Sequence, residues 1–408
     1  MEDLFEGIED IYFLSPYYLN REKREIKKKK RGRQKVKYTW KKFFEILGVW
    51  SSPRVIKEEK WTSIKGVEKY SWIKKEYSPS GIHEIYGDAY SEDIERLIEH
   101  CSKIDDQNEI QKRMTLLWES LEKNWKSYKE KNYCQTRYKW FHYSEHYREY
   151  ETSSFLEFLR NACWVPGKDG GFYKPSEVLT DTKKNHLLLG EDAKYVSLKA
   201  NEAFLKDLGV RIEPKTEEVI NHLKAYRGKN PHPQESKIEK MKVIYDFLQD
   251  KINGIENPND RDSKIQEIKE IFNEYELLYL PREDKVWWKP THVFWRDLSE
   301  IFETLRGYVE HNESPIYDSI LKKFFLLLGV VEKPLFKECF DILEDLKARG
   351  NLDDYKKFAP KIYTYINEVV KQGVREEKSW DRAVFLSEKG KFLCPSEPQS
   401  LRPKFLPP

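Results

Sequence analysis

Phe43-Phe44-Glu45-Ile46-Leu47-Gly48-Val49 with Pro53, Phe204-Leu205-Lys206-Asp207-Leu208-Gly209-Val210 with Pro214, and Phe324-Phe325-Leu326-Leu327-Leu328-Gly329-Val330 with Pro334 are three spellings of one phrase. The shared letters are Phe, then Phe or Leu, two variable residues, Leu-Gly-Val, three variable residues and Pro. This spells the end of a helix. Glycine supplies the left-handed residue just past the last turn, and the valine after it reaches back to Phe44, Leu205 or Phe325, as a Schellman cap requires. The proline then forbids further helix. Three copies make the chain an array.

A second phrase precedes two of these endings: Trp164-Val165-Pro166 with Pro175, and Tyr279-Leu280-Pro281 with Pro290. Between the prolines lie turn-forming residues (Gly167 to Gly171, Arg282 to Lys285) and then aromatic pairs suited to a strand. The spelling predicts a β-hairpin whose prolines flank the strands. A weaker copy runs from Phe385 to Phe392 with Pro395, and Phe13-Leu14-Ser15-Pro16 is the remnant of another. Each full unit is therefore expected to run hairpin, connecting segment, helix with the Leu-Gly-Val ending, Pro, then further helices. Glu217–Tyr226 and Leu335–Lys347 are read as those helices, the latter with Leu335, Cys339, Ile342, Leu343 and Leu346 at helical spacing, and Lys237–Gln249, Ile265–Tyr275 and Asp354–Lys371 extend the helical part. The longer first interval adds a strand-like region from Trp61 to Tyr90 and a Trp- and Tyr-rich stretch, Gln107 to Tyr150, expected to be helical.

The fold class expected is α+β: a helix-rich modular array of divergent units, each a short β-hairpin plus helices, with no Rossmann-like or P-loop domain. The boundaries predicted are 1–106 for a first, partial unit with a basic loop at 21–37, 107–154 for a helical aromatic connector, 155–275 and 276–383 for the second and third units, and 384–408 for a partial hairpin of a fourth. Both chain ends fall out of phase with the repeat. This suggests a segment of a longer protein or a reading frame split from one.

The chain has 408 residues, too many for one ordinary core. Its 12 Trp and 25 Tyr argue for packed structure in spite of 35% charged residues. The net charge of +3 conceals an asymmetry, because Arg21 to Lys37 holds eleven Lys or Arg against two Glu. The remainder is acidic, so attraction to polyanions is concentrated in that one segment. Five scattered cysteines without a Cys-x-x-Cys pair suit reduced thiols in the cytoplasm. No apolar run is long enough to span a bilayer.

Several stretches together resemble a known family. Phe158-Leu159-Arg160-Asn161-Ala162-Cys163-Trp164-Val165-Pro166, Asp169-Gly170-Gly171-Phe172, Lys174-Pro175-Ser176-Glu177-Val178, Leu188-Leu189-Gly190 and Phe204 to Val210 are similar to the region downstream of the ATPase module in sacsin-like and No-vein-like proteins. Tyr90-Ser91-Glu92-Asp93-Ile94-Glu95-Arg96-Leu97 resembles another stretch of it. Family members usually carry an N-terminal nucleotide-binding domain of the gyrase, heat-shock chaperone, histidine kinase and MutL superfamily. The resemblance implies a chaperone-like or defence-related region beside such an ATPase, supplied in the same or another chain. The adenine-holding Asp-x-Gly and glycine-rich lid of that fold have no counterpart here, since Asp169-Gly170-Gly171 is a hairpin turn by its context. Walker and dinucleotide glycine motifs are absent too, so no nucleotide site and no cofactor is assigned.

The preferred function is a non-catalytic interaction or scaffold region with a protein partner, with no membrane contact. Two other readings compete. Arg24, Lys27, Lys28, Lys29, Lys30, Arg31 and Arg33 in the basic loop would neutralise phosphates of a nucleic acid. His142-Tyr143-Ser144-Glu145-His146 spells the His-x-x-Glu-His of inverted zinc peptidases, in which a helix puts His142 and His146 on one face with Glu145 as the general base. The Trp287-Trp288 pair, with Trp295, is expected to place one ring in the core and one against a neighbour.

Overall fold

The computed structural model describes residues 46, 52–59, 61–63, 82–140, 143–229, 237–281, 285–311, 314–334, 336–371, 382, 384–386 and 392–393. The fold is α+β and helix-rich, with short antiparallel hairpins between helices. It divides into two compact units, residues 1–186 with 190–214, and residues 187–189 with 215–408.

Two of the three phrases fall within the described residues and cap their helices as their spelling requires. The helices Glu202–Leu208 and Ser319–Leu328 end at Gly209 (φ 84°) and Gly329 (φ 110°). The Gly209 and Val210 amides donate to the carbonyls of Lys206 (3.0 Å) and Leu205 (2.9 Å); Gly329 and Val330 do the same to Leu326 (3.1 Å) and Phe325 (3.0 Å). That pair of bonds is the Schellman motif. A further orphan carbonyl is met from outside in each unit: Arg160 Nε donates to Asp207 O at 2.9 Å, and Asn273 Nδ2 to Leu328 O at 3.1 Å. Phe43 and Gly48 of the first copy lie outside the described residues.

The hairpins stand where the prolines put them. Val165–Pro166 pairs with Phe172–Tyr173, Leu278–Tyr279 with Trp287–Trp288, and Phe385–Leu386 with Phe392–Leu393, all antiparallel. Pro175 and Pro290 are buried, and each opens a 3-10 turn just after its hairpin. Proline suits that position because the first amide of a helical turn has no internal partner.

A third repeated element links these two. After each 3-10 turn the chain forms a short parallel seam with the residues beyond the Leu-Gly-Val ending. In the first unit Arg211 N donates to Val178 O (3.1 Å), Thr180 N to Arg211 O (2.9 Å) and Val196 N to Leu179 O (2.9 Å). In the second, Val331 N donates to Val293 O (3.2 Å), Trp295 N to Val331 O (2.8 Å) and Val309 N to Phe294 O (3.0 Å). The correspondence extends to a buried tyrosine in each seam: Tyr195 and Tyr308 donate their hydroxyls to the carbonyls of Gly190 (2.7 Å) and Glu303 (3.2 Å).

Each core closes around the phenylalanines of the phrase. Trp118 and Trp125, on the helix Gln107–Tyr128, meet Phe204 edge-on with ring centroids 5.0 and 4.8 Å away. In the second unit Tyr245, on the helix Ile238–Asn253, meets Phe325 edge-on at 5.4 Å, and Phe272, on the helix Pro258–Tyr275, meets Phe324 at 6.2 Å. A further cluster joins the helices Phe336–Ala348 and Leu352–Lys371 through Phe340, Leu343, Tyr355 and Ile362. Trp287, Trp288 and Trp295 are all buried, so neither member of the tryptophan pair faces outward.

The helical expectation for Gln107–Tyr150 holds only as far as Tyr128. Residues Tyr133–Trp140 and Tyr143–Thr152 are paired strands. Their Tyr, Thr and Trp content favours a pleated surface, and tertiary pairing overrides the weak helical preference of their Glu, Lys and Arg residues.

Candidate interaction surface

The two units differ by added material, and the additions meet. In the second unit the helices Ile238–Asn253 and Pro258–Tyr275 are joined by a short turn before the hairpin. In the first, the corresponding helices, Gln107–Tyr128 and Ser154–Asn161, are separated by a long hairpin. A second addition lies upstream. There β1 (Ile56–Lys57), β2 (Trp61–Ser63), β3 (Ile82–Tyr86) and β4 (Ala89–Tyr90) run in order, and β1 pairs with β4 around the other two. With β5 (Tyr133–Trp140) and β6 (Tyr143–Thr152) forming the long hairpin, β2, β3, β5 and β6 join into one antiparallel sheet in the order β2-β3-β5-β6. The two inserted segments, far apart in the chain, thus make a single surface.

Its roots are tied to the repeat by directed hydrogen bonds. Asp88, 6% exposed, accepts from the Ser154 amide and hydroxyl, both at 2.8 Å, and so holds the start of a helix with a carboxylate. The Ser153 amide bonds Asn132 O at 2.9 Å and its hydroxyl bonds Lys131 O at 2.7 Å, closing the base of β5 and β6. The Glu58 amide bonds Asp88 O at 2.8 Å, Lys131 Nζ bonds Val55 O at 2.7 Å, and the buried Tyr128 hydroxyl bonds Pro53 O at 2.8 Å. Asp88 therefore links the exit of one insertion to the exit of the other.

Elsewhere in the first unit, polar groups hold the frame. Asp207 accepts from Trp125 Nε1 at 2.8 Å, and Asp169 from the Tyr173 hydroxyl at 2.5 Å, which holds the Asp169 carboxyl below its ordinary range. His186 lies between Asp181 (2.6 Å) and Glu191 (3.2 Å) with its ring stacked on Tyr195 at 4.0 Å. Lys168, 2.7 Å from Asp181, is the main cause of that carboxyl's lowered pKa. Burial pushes the Tyr195 hydroxyl up to about 12. This cluster binds a turn together.

In the second unit Arg306, 7% exposed, pairs with Asp345 at 3.2 Å, and burial lowers its pKa although Asp345 opposes this. Burial drives His292 down to about 4, with Arg306 adding repulsion, and pushes the Cys339 thiol up to about 12. A thiol so raised is a packing residue and a poor nucleophile. Among the described residues no group of three or more His, Cys, Asp or Glu could hold a metal ion.

The residues singled out in the sequence divide accordingly. Trp164, Pro166, Pro175, Phe204, Pro214, Pro290, Phe324 and Pro334 are buried parts of the repeat; Pro281 is half-buried at its hairpin. Pro53 is buried and receives the Tyr128 hydroxyl. Arg24, Lys27, Lys28, Lys29, Lys30, Arg31 and Arg33 lie outside the described residues, as does His142. Glu145 and His146 lie in β6, a strand, so the helical face on which the zinc reading rests is absent. Sequence reasoning does not find the sheet as a surface. In Tyr143-Ser144-Glu145-His146-Tyr147-Arg148-Glu149-Tyr150 the tyrosines recur at helical spacing, so the stretch carries no strand period.

No family model matches the chain, and no curated protein or solved structure does so. Among the described residues no helix is long and apolar enough to cross a membrane.

Proposed function

We propose that the chain is a non-catalytic, repeat-built interaction scaffold, similar to the region downstream of the ATPase in sacsin-like and No-vein-like proteins. It holds a protein partner or client beside an ATPase module in the same or another chain. The observation that supports this reading is the use made of the repeat's own polar groups. Asp207, Asp169, Arg306 and Asn273 each bind an internal partner, while the material added to the repeat forms one continuous sheet. Insertions in repeat proteins gather on one face, often the binding face. Among the described residues Cys101, Cys163 and Cys339 are free thiols, in keeping with a cytoplasmic setting.

The test is reconstitution with a heat-shock-chaperone-type ATPase module encoded in the same genome. Co-elution, together with a change in ATP hydrolysis rate that depends on the inserted sheet, is the expected outcome. Separate elution from every such module, with unaltered hydrolysis, would sink the reading.

A further inference from the structure

Two cations on the neighbouring helices Thr216–Lys229 and Ile238–Asn253 are held by acids: Arg227 pairs with Glu276 at 2.6 Å, and Lys242 pairs with Asp318. Lys240 is not. Its Nζ lies 3.0 Å from His222 Nε2 and 4.1 Å from the centre of the Tyr226 ring, and among the described residues no carboxylate pairs with it. Residues four apart on a helix share a face, so His222 and Tyr226 present their rings together, and Lys240, in the first turn of the next helix, lies against both. All three side chains are half-buried, which leaves the amine open to a small reagent.

The contact limits the protons that the two groups hold. A hydrogen bond needs a proton on one nitrogen and a lone pair on the other, so Nζ and Nε2 cannot both be fully protonated while it lasts. With Lys240 as an ammonium, Nε2 is a bare acceptor and the imidazole proton sits on Nδ1. With one proton moved across, the amine is free and the ring carries the charge. Burial lowers the Lys240 pKa from its ordinary value, whereas the hydrogen bond to Asp318 raises that of Lys242 on the same helix. The Tyr226 ring holds the side chain against His222 in either case.

We propose that Lys240 is an acylation site, its amine taking the acyl group of a small thioester with His222 as the base. A proton on Nζ crosses to His222 Nε2 and frees the lone pair, over a distance suited to general-base work. The lone pair attacks the thioester carbonyl, and the N–C bond forms as the C–S bond breaks. The second proton lost from nitrogen goes to the departing thiolate, which leaves as a thiol, and the imidazolium returns its own proton to water. The product is a neutral amide, so the charge above Tyr226 is removed. This site is independent of the scaffold reading, and either can fail without the other.

The test treats the full chain briefly with S-acetyl-N-acetylcysteamine, a thioester carrying no nucleotide, and reads each lysine by peptide mass spectrometry. One pKa unit of lowering gives about ten times more neutral amine, so at about pH 8 Lys240 should be acetylated at least about threefold faster than the exposed Lys356, half-burial taking part of the gain. Lys242, held by Asp318, should lag behind both. His222→Gln keeps an acceptor for Nζ but takes up no proton. It should slow Lys240 to the rate of Lys356 or below while the other lysines and the melting curve are unchanged. The comparison within the parent chain decides the matter if that variant fails to fold. Acetylation of Lys240 no faster than that of Lys356, or a folded His222→Gln variant acetylated at Lys240 as fast as the parent, would overturn the proposal.

Discussion

Gly190 and Glu303 hold the same place in two copies of one supersecondary unit. Each ends a helix with a positive φ, 69° and 45°, and each presents its carbonyl to the tyrosine five residues on. The first copy meets this backbone demand with glycine, and the second with a side chain in a region that costs a non-glycine residue about 1–3 kcal/mol. Glu303 is retained with two ion pairs, to Lys361 (2.5 Å) and Lys357 (3.1 Å), which hold its carboxyl below the usual range. Replacement by alanine removes the pairs and keeps the strain; replacement by glycine removes both. Glu303→Gly should therefore be more stable than Glu303→Ala by about 1 kcal/mol, the reverse of the usual order of these residues. Denaturant unfolding of the two variants, followed by tryptophan fluorescence, measures the difference.

Gly209 and Gly329 cap equivalent helices but have different neighbours. A Cβ at Gly209 meets nothing within 4 Å, whereas one at Gly329 lies 3.1 Å from Thr291 Cγ2. Both alanine variants carry the left-handed penalty of about 1–2 kcal/mol. Gly329→Ala should lose more, because Thr291 is held by Asn273 through its amide (3.0 Å) and hydroxyl (2.8 Å). Equal unfolding midpoint shifts for the two variants would contradict this ordering.

Asp88→Ala removes the acceptor for the Ser154 amide and hydroxyl. The expected loss is about 1–3 kcal/mol, the range for hydrogen bonds to a charged group. Its location is specific, since the amides of β3 and β5 should exchange with deuterium faster while those of the helix Ile238–Asn253 keep their protection.

His292 gives a pH dependence whose sign follows from its neutral folded state. Burial, then Arg306, lower its pKa from an ordinary 6.5 to about 4, with Asp345 opposing and Lys289 and Lys285 adding repulsion. The unfolded chain takes up a proton near pH 6.5 and the folded chain does not. Stability is therefore full above pH 6.5, falls as the pH drops towards 4, and is level below. The shift bounds the loss at roughly 3 kcal/mol, and partial exposure to solvent reduces it to about 1–2 kcal/mol. Melting at pH 7.5 and pH 4.5 should show a larger drop for the parent than for His292→Gln.

The elements spelled by local chemistry were the legible ones. Gly209 and Gly329 each require one backbone conformation that few residues accept, and the prolines at 166, 175, 281 and 290 bracket hairpins whose strands need only two residues each. The parallel seams of Val178–Thr180 with Arg211, and of Val293–Trp295 with Val331, leave no such mark. They consist of a few bonds between residues far apart in the chain, and an isolated Val or Thr does not reveal its partner. The strands β5 and β6 were hidden by their charge, because Glu, Lys and Arg between aromatic residues suit a helix surface as well as a pleated one. Only pairing with β3 decides between the two.

The inserted sheet consists of local and distant pairings of unequal kinetic cost. β5 and β6 are neighbours in the chain and zip at once, whereas β3 meets β5 only after the helix Gln107–Tyr128 has brought Tyr86 opposite Gln135. Closing that loop loses chain entropy before any bond is gained. The line between β3 and β5 thus carries a larger loop-closure cost than the line between β5 and β6. That line is also the seam between the two inserted segments, since β2 and β3 lie on one side of it and β5 and β6 on the other.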